Sequence, residues 1–129
     1  MTRAAILEPS SGIAGDMMLG ALLDLGVEEA WLHGLPAELG LDGVTVKTAR
    51  VIRGEISCAK VDFEIPPQPH GRHLRHIRTI VEASRAPDDV KARAMHAFEL
   101  LTAAEAAVHG TTIEKVHFHE PRPRPWPGA

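Results

Sequence analysis

Between Gly43 and Ile65 the sequence abandons helical spacing and alternates residue by residue, which predicts an antiparallel hairpin in mid-chain. Val44, Val46 and Thr48 alternate with Thr45, Lys47 and Ala49, the run continues to Arg53, and Gly54 marks the turn. Beyond it Ser57, Ala59, Val61, Phe63 and Ile65 fall on one side, and Cys58, Lys60, Asp62 and Glu64 on the other. The hairpin therefore has one wet face and one that packs. Pro66-Pro67-Gln68-Pro69 cannot continue a strand and forms a stiff connector.

Helical patterns flank the hairpin on both sides. Residues 4–7 are a short apolar run ending at Glu8-Pro9 and read as a buried strand. After a glycine-containing turn, Asp16 opens a helix over 17–25 with Met18, Leu19, Leu22 and Leu23 as its apolar stripe and Gly26 as its stop. A weaker helix covers about 28–39, interrupted by Gly34 and Pro36 and anchored by Trp31, Leu32 and Leu35. On the far side, Leu74, Ile77, Ile80 and Val81 form the stripe of a third helix. Pro87-Asp88-Asp89 starts a fourth, whose apolar face runs through Val90, Ala94, Phe98, Leu101 and Val108 to a cap at Gly110. Residues 113–120 read as a last strand. The order strand, two helices, hairpin, two helices, strand predicts an α+β fold, a small mixed or antiparallel sheet with helices packed on one face.

Composition narrows the functional classes. A chain of 129 residues with 44% hydrophobic and 24% charged content is that of one soluble globular domain. A net charge of −3 provides no global attraction to nucleic acid or to anionic membrane. Cys58 is the only cysteine, so no intrachain disulfide forms and a reducing, cytoplasmic setting is expected. No apolar run approaches the roughly 20 residues of a membrane helix.

The chemistry is concentrated in histidines, seven of the eight lying after residue 69. Val116-His117-Phe118-His119-Glu120 places two imidazoles and a carboxylate within about six or seven ångströms of backbone. On a strand His117 and His119 project together while Val116 and Phe118 turn into a core. His73 and His76 lie side by side on the flank of the third helix, with His70 in the loop before it, so three imidazoles can converge. Glu105 and His109 sit one turn apart on the fourth helix. Such groups suit nickel, zinc, iron or copper. Each also has a plainer reading, as histidines on solvated faces or as an i,i+4 surface pair. The turn over 11–16 resembles a phosphate cradle, with Ser11 and Asp16 as its candidate cofactor-binding groups, but it lacks a lysine and Asp16 would repel a phosphate, so a helix-capping role for Asp16 is the favoured reading. No Ser-His-Asp or Cys-His arrangement identifies a catalytic residue.

Ser11-Gly12-Ile13-Ala14-Gly15-Asp16-Met17-Met18-Leu19-Gly20-Ala21-Leu22-Leu23-Asp24-Leu25-Gly26 resembles the N-terminal signature of the LarC family, the nickel-insertion proteins of nickel-pincer cofactor biosynthesis. His70-Gly71-Arg72-His73-Leu74-Arg75-His76-Ile77 resembles its histidine-bearing segment, and Ala104-Glu105-Ala106-Ala107-Val108-His109-Gly110 with Val116-His117-Phe118-His119-Glu120 resembles the next two. Glu8, Ser10 and His76 depart from the family pattern, which has an aspartate, an aromatic and an acidic residue there. The resemblance implies CTP-dependent insertion of nickel into a pyridinium bis-thiocarboxylate mononucleotide, the work of a lyase or chelatase. It makes His70, His73, His117, His119 and Glu120 candidate nickel-handling groups, with Asp16, Glu105 and His109 second. CTP and its divalent metal belong to the C-terminal part of the family, a further partner that this chain does not contain.

The resemblance spans residues 6–120. Within the N-terminal region, residues 1–120, the chain reads as family; over 121–129 it reads Pro-Arg-Pro-Arg-Pro-Trp-Pro-Gly-Ala, where the family continues as a Val-Gly-Ala turn and a helix. Alternating proline and arginine forms neither helix nor interior strand and matches a GC-rich gene read out of frame. The expectation is a truncated or frameshifted N-terminal part, inactive alone; the other reading of the tail is a Pro-rich ligand. The functional alternative is a stand-alone nickel- or zinc-binding module or metallochaperone without catalysis.

Overall fold

The computed structural model describes residues 4–10, 12–67 and 72–118. Ser11, His70, His119, Glu120 and the tail over 121–129 lie outside the described residues. Among the described residues, four helices and a two-stranded antiparallel sheet give the α+β class expected. The helices are α1 (Gly15–Asp24), α2 (Glu29–Glu38), α3 (Leu74–Ala83) and α4 (Asp88–His109), and the strands are β1 (Thr45–Arg53) and β2 (Ile56–Glu64). The described residues divide into two compact units, one holding those up to Pro36 with Gly43–Ile65, the other Ala37–Asp42 with those from Pro66 to Phe118.

The hairpin of the first unit forms as its alternation predicts. Thr45 pairs with Glu64 at the open end and Arg53 with Ile56 at the closed end. Gly54 and Glu55 both have positive φ, 52° and 67°, as a two-residue type I′ connection requires. Val46 and Val61 turn to the buried face, and with Leu32 of α2 they form a core flanked by Leu19, Leu23 and Leu35. The opposite face is wet and carries the Lys47–Glu64 and Lys60–Asp62 ion pairs.

Ala59 is where α1 meets β2. Its N–H donates to the Asp24 carboxylate at 2.9 Å, and its carbonyl oxygen lies where a Cβ on Gly20 would overlap it, so both backbone polar groups of Ala59 face the helix. Arg50, paired across the hairpin with Ala59, closes the arrangement by donating to Asp24 and to Ser57. The Ala59 N–H first, and then Arg50, hold the Asp24 carboxyl below its ordinary range.

In the second unit α3 packs on α4. Leu74, Ile77, Ile80 and Val81 are half-buried, as their spacing predicts, and Arg78 bridges to Glu99 at 2.8 Å. Gly110, at φ 61°, caps α4 as expected. Its buried line, however, is Met95, Thr102 and Ala106 with Phe98 half-buried, whereas Val90, Leu101 and Val108 are exposed. The predicted face was turned because it followed the large aliphatics; Thr102 satisfies its hydroxyl on the Phe98 carbonyl at 2.6 Å and can therefore be fully buried.

Four further expectations are corrected. Residues 4–7 are outside both strands, with Ile6 87% exposed, because a short apolar run without a pairing neighbour has no ladder to hold it. Trp31 is 47% exposed, while Leu32, at 1%, and the half-buried Leu35 anchor α2 as expected. The stretch after Gly110 begins as a 3₁₀ turn, Ile113–Lys115, and within its described residues pairs with the chain only at an Arg72–Phe118 bridge. Asp16 lies inside the first turn of α1, two residues past the cap at Ala14, so it meets the positive helix end without capping it.

Gly20→Ala should lower stability in urea unfolding. The helix propensity of alanine favours the substitution by up to about 1 kcal/mol, but overlap with a backbone carbonyl costs about 1–3 kcal/mol. Asp24→Asn should also destabilise. Because the folded Asp24 pKa is depressed, the carboxylate's contribution is present above about pH 4 and is lost as pH falls through the folded value. Wild type and Asp24→Asn should therefore converge in stability in acid; a constant difference down to pH 2 contradicts the assignment.

Candidate metal centre

The start of α3 and the segment after the 3₁₀ turn meet in the second unit. Phe118 N–H donates to the Arg72 carbonyl at 3.1 Å, and the His73 Nδ1 lies 3.1 Å from the Val116 carbonyl oxygen. A carbonyl only accepts, so His73 donates from Nδ1, and in the neutral ring the lone pair is then on Nε2. Between the two bonds the chain is extended in alternating fashion: Val116 is 4% exposed, Phe118 is half-buried and His117 faces out. Phe118 meets Phe98 of α4 edge to face, with ring centroids 6.0 Å apart.

This juxtaposition brings the two histidine blocks together. The His73 and His117 rings have centroids 4.0 Å apart. His76 follows at 5.6 Å from His73, and its Nδ1 accepts the His73 backbone N–H at 3.3 Å. Loss of hydration, then the charges of Arg75, His73 and Arg72, hold the His76 ring below the usual histidine range.

Glu105 and His109 form a 3.2 Å i,i+4 contact near the end of α4, with side chains 44% and 66% exposed. Asp16 is exposed on α1, in the first unit. His70, His119, Glu120 and Ser11 lie outside the described residues, and among the described residues no group of three or more His, Cys, Asp or Glu is arranged to hold a metal. An open cleft in the first unit, lined by Asp24, Glu29, Thr48 and Arg50, contains none of the predicted site residues. Sequence reading missed the Val116 and Arg72 carbonyls and the Phe98–Phe118 contact; no residue-type pattern announces a backbone acceptor, while an aromatic in each segment was the available sign.

The chain can be compared with known proteins on this footing. The family model described as nickel insertion protein matches residues 5–121. A protein of Synechococcus elongatus named for nickel insertion is 41% identical over 122 residues, covering 93% of this chain and 30% of its own length. The pyridinium-3,5-bisthiocarboxylic acid mononucleotide nickel insertion proteins of a Nocardioides species and of Staphylococcus epidermidis are 38% and 35% identical, covering 90% and 93% of this chain and 30% of their own lengths. This chain thus spans about 30% of the length of these curated relatives. No solved structure matches it. No helix among the described residues is long and apolar enough to cross a membrane.

The exposed Glu105–His109 contact should behave as a surface pair. Glu105→Gln is expected to change unfolding stability by no more than about 0.5 kcal/mol, measured in urea at neutral pH; a much larger loss would give the pair a structural role that its exposure does not indicate.

Proposed function

We propose, from the premise that the chain belongs to the nickel insertion protein family, that it serves the insertion of nickel into a pyridinium bis-thiocarboxylate mononucleotide, with His73 and His117 as its nickel-handling pair. The observation that carries this reading is the 4.0 Å approach of the two rings from separate segments. Nickel(II) is a borderline ion that imidazole suits. The Val116 carbonyl on Nδ1–H supports it further, since a backbone acceptor on one ring nitrogen orients the other toward a metal. Nickel held this way is cargo. Passing it to the two thiocarboxylate sulfurs breaks nickel–nitrogen bonds and forms nickel–sulfur bonds with no change of oxidation state.

His70, three residues before His73, and His119 and Glu120, just after His117, are proposed as further donors. Glu105 and His109 take second place because they pair with each other on the surface. Asp16, in the first turn of α1, and Ser11, five positions earlier in the sequence, are proposed for the mononucleotide. CTP with its divalent metal is assigned to the part of the family's length that lies beyond this chain, and that part is the proposed partner. Enzymatic activity, of lyase or chelatase type, is accordingly proposed for the two parts together. The single cysteine fits a cytoplasmic setting.

The second reading, a nickel- or zinc-binding module without catalysis, is favoured by one observation, that both rings of the pair come from this chain. Nickel titration should show binding that His73→Ala and His117→Ala each weaken at least about tenfold. Unchanged binding in both variants removes the assignment. Adding the remaining two-thirds of a relative, CTP and the nickel-free precursor separates the readings. Nickel-loaded product only when both parts are present is the expected result, and binding without product points to the module.

A further inference from the structure

Building on the assignment of His73 and His117 to nickel, we infer that Phe118, seated on Phe98, is the positioning residue of the site, and that His73 meets the metal through Nε2. His117 itself lies on the exposed side of an extended segment with only a 3₁₀ turn before it. Among the described residues, contacts on that segment include the Phe118 N–H on the Arg72 carbonyl, the Val116 carbonyl on His73 Nδ1, and the Phe118 ring on Phe98. They lie on both sides of His117 and so bear on which way residue 117 projects. Phe118 takes part in two of them through its backbone and its ring.

The polar contacts alone would hold the segment weakly. A backbone hydrogen bond near the surface contributes about 0.5–1.5 kcal/mol net, less than ordering the residues of the segment costs at about 1–2 kcal/mol each. Burial of the Val116 and Phe118 side chains is needed to keep it in place, and a buried side chain of this size contributes about 1.5–3 kcal/mol. Val116 is 4% exposed and Phe118 half-buried against α4, a 22-residue helix. The Phe98–Phe118 contact thus carries the rigidity of α4 to the ring of His117. The same seating keeps the Val116 carbonyl on His73 Nδ1, which leaves Nε2 as the nitrogen with the lone pair.

The affinity test uses the whole chain and nickel alone. Phe118→Ala is expected to lower nickel affinity about 10–100-fold, the loss typical of disturbed groups behind metal ligands, with the far-ultraviolet circular dichroism of α3 and α4 retained. Phe118→Leu, which restores an apolar side chain, should recover a large part of that affinity. Wild-type affinity in folded Phe118→Ala overturns this inference while leaving the pair as ligands; absence of nickel binding by the wild-type chain removes the pair and this inference with it. Nitrogen-detected spectra of wild-type His73 supply a measurement independent of any variant. The ring should be protonated at Nδ1, and added zinc should shift Nε2 rather than Nδ1. A ring protonated at Nε2 would overturn the inference.

Discussion

The hydrogen bond from His73 Nδ1–H to the Val116 carbonyl is the contact on which the proposed site depends. It joins residues 43 positions apart, it settles which ring nitrogen retains a lone pair, and it places the His73 ring against that of His117. A histidine that spends one nitrogen on a backbone carbonyl presents the other in a defined direction, which a freely solvated ring does not. The neighbouring bond from Phe118 to Arg72 and the Phe98–Phe118 contact engage the same segment.

The first unit solves a different problem. A two-stranded hairpin is marginal by itself and needs a packed face. Leu32 supplies cover for Val46 and Val61, and α1 approaches β2 closely enough that Gly20 tolerates no Cβ. Asp24 then answers an N–H of β2 that faces the helix, and Arg50 balances the charge. Small residue and carboxylate lie one turn apart on α1, so a single helix face provides close approach and polar satisfaction together.

Much of the fold was legible because its local signals agree with its tertiary packing. The alternation from Gly43 to Ile65, the stop at Gly26, the stripe Leu74-Ile77-Ile80-Val81 and the cap at Gly110 each have a period or a backbone requirement that a sequence displays. Misreadings came where tertiary context outweighs local pattern. The inward face of α4 centres on Thr102, whose hydroxyl is satisfied within the helix, so ranking by hydrophobicity alone pointed to Leu101 and Val108. Residues 4–7 have strand composition but no strand beside them. Of the site, the alternation of Val116, His117 and Phe118 was readable as burial, out and in; the encounter with His73 was not, because spacing carries no information across such a separation.

Family membership gives the proposed pair its chemical meaning. Nickel K-edge X-ray absorption on the nickel-loaded chain tests this most directly. The account predicts outer-shell scattering from at least two imidazoles that disappears in the His73→Ala/His117→Ala double variant. A shell of oxygen donors alone, or imidazole scattering that survives in the double variant, would contradict it.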